Sequence, residues 1–293
     1  MNKKRNILLT GIGLASNNRL YNLLLGINKN IENLFVCGSD ITVYENEKNI
    51  TIFKAPKNDD PTYLNFLLYI SKNNQITDII PFIDSEVAFL SKNYTNLITN
   101  GITPWVAEND TIINCIDKWE CFQIAKKYSP QGRLISSTNE FFHAINSLGY
   151  PDLDVVCRPS SGPNGSGKGF RVISSRSKEW HSNFYDTNPS KKISPETYST
   201  FISEAISANK LPPILITEYL PGQEYSCYIC ANKGILIDCV IHKKNEYESG
   251  TTNTGQADVI ESNEIELVCK ILTERFKLHL LNNIQLKRDQ LSN

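Results

Sequence analysis

The sequence predicts an α/β protein, and two observations carry the prediction. In the first hundred residues, apolar β-branched runs alternate with helix-forming segments. That βαβ rhythm belongs to a parallel sheet with helices on its faces. Further on, Val155 to Ile173 (VVCRPSSGPNGSGKGFRVI) reads as two strands around a long glycine-rich tip, whose backbone can close around an anion.

Composition sets the bounds. With 293 residues, 40% hydrophobic and 21% charged, the chain can build a large core and more than one domain, and its balance is ordinary for a soluble protein. A net charge of −1 gives no electrostatic case for nucleic acid or an anionic membrane surface. No apolar run reaches the roughly 20 residues that span a bilayer. The N-terminus, MNKKRNILLTGIGLAS, superficially resembles a signal peptide, but Gly11 and Gly13 break its short apolar run, so a first core strand fits better. The eight cysteines are scattered, mostly within apolar segments. Cys227 and Cys230 form a C-x-x-C, yet in the alternating strand EYSCYICA they point to opposite faces. Reduced, buried thiols in a cytoplasmic protein are the expectation.

In order, Asn6 to Thr10 reads as a strand, turning through Gly11-Ile12-Gly13 into a helix near Arg19 to Leu25. Asn33 to Cys37 is a second strand, Tyr63 to Asn73 a helix and Asp78 to Ile83 a strand. Asp84-Ser85-Glu86 opens a helix, with Asp84 as its N-cap rather than a catalytic acid. Gly11-x-Gly13 resembles part of a dinucleotide fingerprint, but Ser16 stands in the third glycine's place and only Asp40 offers a ribose-binding acid. An NAD-dependent oxidoreductase is therefore a minor alternative. Pro104 closes this unit. Asn114 to Tyr128 is an amphipathic helix and Glu140 to Leu148 another. After the hairpin, Ser174 to Pro195 is polar and aperiodic, a long mobile connection. Pro195 to Asn209 is a helix with proline at its start. Ile214 to Thr217 is a strand ending in Glu218-Tyr219-Leu220-Pro221-Gly222. Glu224 to Ala231 and Gly234 to His242 pair around Asn232-Lys233. The helix Glu264 to Phe276 leads into Leu280 to Lys287.

In the hairpin tip, Gly162, Gly165, Gly167 and Gly169 alternate with Ser160, Ser161, Ser166 and Lys168. Backbone N–H groups there can converge on phosphate oxygens. Arg158 adds a rigid fork of donors and Lys168 a mobile charge. A P-loop is excluded, because Gly169 stands where Ser/Thr is required and FRVI is strand, not helix. The alternative is a flexible surface hairpin.

This ordered set – a βαβ unit, Asp-Lys on a helix, the glycine hairpin, then Glu-Tyr-x-Pro-Gly-x-Glu on strands – resembles the ATP-grasp superfamily. Within it the chain resembles the large chain of carbamoyl phosphate synthase, whose glycine loop also begins Arg-Pro-Ser, as Arg158-Pro159-Ser160 does here. The resemblance covers nearly the whole chain. It implies a Rossmann-like pre-ATP-grasp domain over 1–108, a lid lobe over 109–217 and a second lobe over 218–293. That lobe is expected to be truncated, since the family's Glu-x-Asn-Pro-Arg strand does not follow the N-x-Q strand before Asn293.

The resemblance also implies roles. Lys118 and Arg158 hold ATP phosphates, and Ser160, Gly165, Ser166, Gly167 and Lys168 belong to the covering loop. Glu218 and the backbone of Tyr219 and Leu220 meet adenine. Glu224 accepts from ribose hydroxyls, and Gln285, in Asn283-Ile284-Gln285, is the first metal-side position. Arg158 and His242 are the implied catalytic groups. ATP and Mg²⁺ are the implied cofactors, and the substrate is a small carboxylate or bicarbonate, phosphorylated to an acyl phosphate before an amine attacks. A homodimer, or a partner chain supplying the missing strand, is compatible with this. Lacking the main metal carboxylate, the stretch alone is expected to bind nucleotide weakly without completing a ligase reaction. The other readings remain open: a non-catalytic nucleotide-binding or partner protein, with Lys118 on a solvated helix face, Glu218 and Glu224 as strand-edge acids and His242 as a surface strand cap.

Overall fold

The computed structural model describes residues 5–11, 31–39, 51–161, 169–177, 191–244 and 257–289. The chain forms two compact units, Met1–Ile113 with His279–Leu281, and Asn114–Leu278 with Asn282–Asn293.

The first unit holds a five-stranded parallel sheet in the order β3-β2-β1-β4-β5. Its strands are β1 (Arg5–Thr10), β2 (Ile31–Gly38), β3 (Thr51–Lys54), β4 (Asp78–Pro81) and β5 (Thr103–Pro104). Central parallel strands are buried on both faces. Leu8, Phe35, Cys37 and Ile79 accordingly pack one way and Ile7, Leu9, Leu34 and Val36 the other. Helix α1 (Tyr63–Asn74) adds Tyr63, Leu67 and Ile70 to the first cluster. Helices α2 (Asp84–Lys92) and α3 (Tyr94–Thr99) follow. Gly11 has φ 70°, and a Cβ there would sit 2.8 Å from Ile83 Cγ1, so the chain leaving β1 requires glycine at this position. Gly13, Ser16, Asp40 and the helix expected near Arg19 lie outside the described residues.

One expectation is corrected. Asp84 is not the N-cap: that position is Ile83, without a side-chain cap. Asp84 and Glu86 instead fill the first turn of α2, where negative charge complements the helix dipole.

The second unit contains two sheets. The first has the order β6-β10-β7-β8-β9, with β6 (Gly132–Ile135), β7 (Val155–Pro159), β8 (Arg171–Ile173), β9 (Lys192–Ile193) and β10 (Ile214–Glu218). Strands β7 and β8 pair antiparallel across the glycine-rich segment, as the hairpin reading expects. Helix α4 (Asn109–Ile116) precedes this sheet in the chain, and α5 (Lys118–Ala125) follows α4. The single helix expected over Asn114 to Tyr128 is thus two, because Asp117 adopts an extended backbone between them and caps α5. Helices α6 (Thr138–Ser147) and α7 (Pro195–Ser207) cover one face of the sheet. There Phe141, Ile145, Tyr198 and Ile202 meet Val155, Cys157, Ile214 and Ile216. Ser137 and Ser194 cap these helices, accepting from the amides of Glu140 and Thr197, and Pro195 starts α7 as expected.

The second sheet has the order β13-β12-β11-β14, with β11 (Glu224–Asn232), β12 (Ile235–Lys244), β13 (Ala257–Ile260) and β14 (Leu280–Lys287). Helix α8 (Asn263–Phe276) seals one face over Tyr225, Cys227, Ile229, Ile241, Ile265 and Cys269. The β11–β12 turn is Lys233-Gly234, with φ of 47° and 87°, one residue later than expected. Asn232 is the last paired residue, opposite Ile235, and two positive φ values suit the strand twist. Cys227 is buried and Cys230 only partly so, matching the opposite-face reading. All eight cysteines are free. Among the described residues no helix is long and apolar enough to cross a membrane.

Glu86 is 5% exposed. Its Oε1 accepts from the Tyr63 hydroxyl at 2.9 Å, while its Oε2 has no partner. Burial pushes its carboxyl above the ordinary range, with the Thr10 and Tyr63 hydroxyls acting the other way. A raised folded-state pKa favours the protonated fold, so this group's contribution is full below the unfolded value and is lost as pH rises through the folded one. We expect Glu86→Gln, which keeps the Tyr63 bond, to gain stability relative to the parent as pH rises above the ordinary carboxylate range in urea titrations. A difference independent of pH would show that Glu86 is not titrating above that range.

Candidate functional site

The site residues lie on the second unit and are set by a clasp at the start of α5. Ser160, at the end of β7, is 1% exposed. Its hydroxyl donates to Asp117 Oδ1 at 2.7 Å and accepts from the Trp119 amide at 3.2 Å. Asp117 Oδ1 also accepts from the amides of Trp119 (2.8 Å) and Glu120 (3.2 Å). The Lys118 amide donates to the Ser160 carbonyl, and the Ser160 amide to the Pro213 carbonyl, both at 2.9 Å. The end of β7, the start of β10 and the first turn of α5 are therefore joined.

Arg158 alternates with Cys157, so it lies on the face of β7 away from α6 and α7, opposite Leu215 of β10. Its guanidinium carbon is 5.5 Å from the centroid of the Phe122 ring on α5. Its Nε is buried without a hydrogen-bond partner. Burial lowers its pKa, with the Cys121 thiol acting the other way. Among the described residues no carboxylate pairs with it. Gly165, Ser166, Gly167 and Lys168 lie outside the described residues.

Beyond β10 the chain crosses to the second sheet. Glu218 is bound to Gln131 at both ends: its amide donates to the Gln131 carbonyl at 3.0 Å and its Oε1 accepts from the Gln131 amide at 2.8 Å. Tyr219 and Leu220 are half-buried, and Lys287 Nζ stands 5.2 Å from the Tyr219 ring centroid. The Gly222 amide donates to the Arg288 carbonyl at 3.0 Å. A Cβ on Gly222 would run into that carbonyl oxygen, so the linker can approach β14 only as glycine. Glu224 is ion-paired with Lys244.

On β14, Ile284 and Leu286 face the α8 side. Asn283, Gln285 and Lys287 therefore face the other way. Asn283 Nδ2 donates to Ser226 Oγ at 3.2 Å. Ser226 is in register with His242, whose ring lies edge-on to Tyr228 with centroids 5.1 Å apart. One open face thus carries His242, Asn283 and Gln285 together. Among the described residues no three His, Cys, Asp or Glu side chains gather to hold a metal. Mg²⁺ needs several oxygen ligands, and Gln285 alone does not make that site.

Sequence reasoning missed Asp117 as the organiser of this region. The signal was available: Asp117-x-x-Glu120 before an apolar run has the spacing of a helix start. Phe122 and Lys287 carried no signal beyond an ordinary helix face and strand end.

The fold agrees with what known proteins show. A family model described as ATP-grasp in the biosynthetic pathway with Ter operon matches residues 210–292. The L-amino acid ligase from Bacillus licheniformis superposes with a TM-score of 0.65 at 11% identity, over 99% of this chain and 65% of that one. An N5-carboxyaminoimidazole ribonucleotide synthetase solved with ADP gives 0.66 at 12%, over 100% and 69%. The biotin carboxylase domain of Hydrogenobacter thermophilus 2-oxoglutarate carboxylase, a dimer solved with MgADP, ADP and bicarbonate, gives 0.64 at 14%, over 98% and 62%. The chain spans less than two thirds of the ligase and of the carboxylase domain. No curated protein matches it in sequence. The chain has the ATP-grasp fold, and these neighbours of that fold are a ligase, a synthetase and a carboxylase domain.

If Asp117 holds α5 as described, Asp117→Ala should cost about 0.5–2 kcal/mol, the range for losing an N-cap, and Ser160→Ala about 1 kcal/mol. In hydrogen exchange, the Trp119 and Glu120 amides should lose protection in both variants. Unchanged protection would remove the clasp.

Proposed function

We propose that this chain is an ATP-binding protein of ligase type, similar in chemistry to the large chain of carbamoyl phosphate synthase. The observation that carries the reading is Arg158, a cation with a buried, partnerless Nε and no carboxylate partner among the described residues. Burying an uncompensated charge is costly, and a phosphate group is the ligand whose geometry matches a guanidinium fork. On this reading Lys118 adds charge at the start of α5, and the backbone of Tyr219 and Leu220 meets the adenine edge beside Glu218. Glu224, ion-paired with Lys244, accepts from ribose hydroxyls. His242 and Gln285 lie toward the phosphates.

The chemistry proposed is attack of a carboxylate or bicarbonate oxygen on the terminal phosphorus of ATP, releasing ADP and leaving an acyl phosphate. An amine nitrogen then attacks the acyl carbon, phosphate departs and the amine proton passes to solvent. No protein nucleophile is needed; the chain positions the reactants and offsets charge. A second reading, nucleotide binding without catalysis, is favoured by the neutral Gln285 and by the lack of a metal-holding cluster among the described residues. ADP release in the presence of Mg²⁺, bicarbonate or carboxylates, and amine donors separates the two. Turnover near 1 s⁻¹, the low end of ordinary enzyme rates, supports the ligase, whereas binding without release supports the second reading.

Arg158→Ala should weaken ATP binding by about 1.5–3 kcal/mol, the scale of a charge-assisted hydrogen bond. Calorimetry showing unchanged affinity would take Arg158 out of the site.

A further inference from the structure

We infer that Phe122 is a positioning residue for nucleotide binding: its ring aims the Arg158 guanidinium without neutralising it, leaving the fork to an anionic phosphate group. The inference rests on the nucleotide reading above and deepens it.

A guanidinium can be oriented by a carboxylate, by carbonyl oxygens or by an aromatic face. A carboxylate would cancel the charge, and an incoming phosphate would have to displace it. Carbonyl oxygens would occupy the in-plane N–H groups that a phosphate needs. A ring works differently. It attracts the cation through the face of the guanidinium plane, whereas phosphate oxygens are recognised at its edge. The two interactions do not compete. Arg158 has a ring as its neighbour: the centroid is 5.5 Å from its Cζ, its Nε is buried and partnerless, and no carboxylate among the described residues is paired with it.

Phe122 is itself held in place. It lies five residues beyond Asp117, on the helix that Asp117 and Ser160 pin to the end of β7. Ser160 is two residues from Arg158. The ring and the cation are thus carried by elements joined at one junction, and the distance between them is set by that junction rather than by their own attraction.

The test is calorimetry of the whole chain with ATP, ADP and adenosine. Phe122→Leu should weaken ATP and ADP about three- to tenfold, the effect of losing a partly desolvated cation–π contact, and leave adenosine unchanged. Phe122→Tyr, which keeps the ring, should bind all three within about twofold of the parent. Phe122→Met, which fills the space without a ring, should behave as the Leu variant and serves if that variant folds poorly. Equal ATP affinity in parent and ringless variants overturns the inference alone. Parallel loss of ATP and adenosine also overturns it, since it marks a structural role. A parent chain that binds adenosine and ATP not at all overturns the nucleotide reading, and this inference with it.

Discussion

The carboxylate of Asp117 accepts from the Ser160 hydroxyl and from the amides of Trp119 and Glu120, and the arrangement around the candidate site follows from those bonds. Burial works against ionising this carboxyl, yet the hydrogen bonds from Ser160, Glu120 and Trp119 outweigh it and hold the group below its usual range. Each bond contributes about 1 kcal/mol, modest beside the packing of a sheet. Their value is geometric. They fix where the glycine-rich segment leaves β7, because Ser160 is the last buried residue before it. They also fix which side chain of α5 stands behind Arg158.

A second constraint is the two-residue period of the strands. In both sheets of the second unit one face packs on helices, and the strand period decides which side chains reach the other. On β7 the alternation puts Val155 and Cys157 into the core and Arg158 outside it. On β11 it puts Tyr225, Cys227 and Ile229 under α8 and leaves Ser226 and Tyr228 opposite. A slip of one residue in either strand would exchange these sets. The cores are therefore what aim these side chains: Phe141 and Tyr198 behind β7, and Ile265 and Cys269 behind β11, hold the register that turns Arg158 toward Phe122 of α5 and His242 to the face away from α8.

What was legible in the sequence follows from the same physics. Strand alternation and helix period are local, so β1, α1, the β7–β8 pair and the β11–β12 pair could be read within a residue or two, as could the opposite faces of Cys227 and Cys230. The misplacements are where backbone chemistry overrode the pattern. Asp117 interrupts an apolar period that otherwise runs through Tyr128, because its carboxylate gains more by capping α5 than by continuing a helix. The β11–β12 turn shifted to Lys233-Gly234 because Gly234 accepts a positive φ readily. Within the site, types of residue could be nominated, but their partners could not. Ser160 and Asp117 are 43 positions apart, and Asn283 and Ser226 are 57; no local pattern encodes such pairings.

The balance of charge around these residues has a consistent direction. The acids are engaged: Glu224 by Lys244, Glu218 by the Gln131 amide, Asp117 by its three donors, and Glu264 by Arg288. Arg158 is turned toward a ring instead of an acid, and Lys287 likewise stands over Tyr219. On the open face of the second sheet Ser226 stands in register with His242 and bonds Asn283, and the Glu224–Lys244 ion pair lies two residues along. A cation over a π face keeps its net charge, whereas Glu224 and Glu264 are each paired with a cation. Arg158 and Lys287 thus stand without a carboxylate ion pair among the described residues, although the chain as a whole carries −1. On the proposed reading those two cations are what an anionic ligand would meet, because each is partnered by a ring rather than by an acid, and that follows from how the charges are placed rather than from composition.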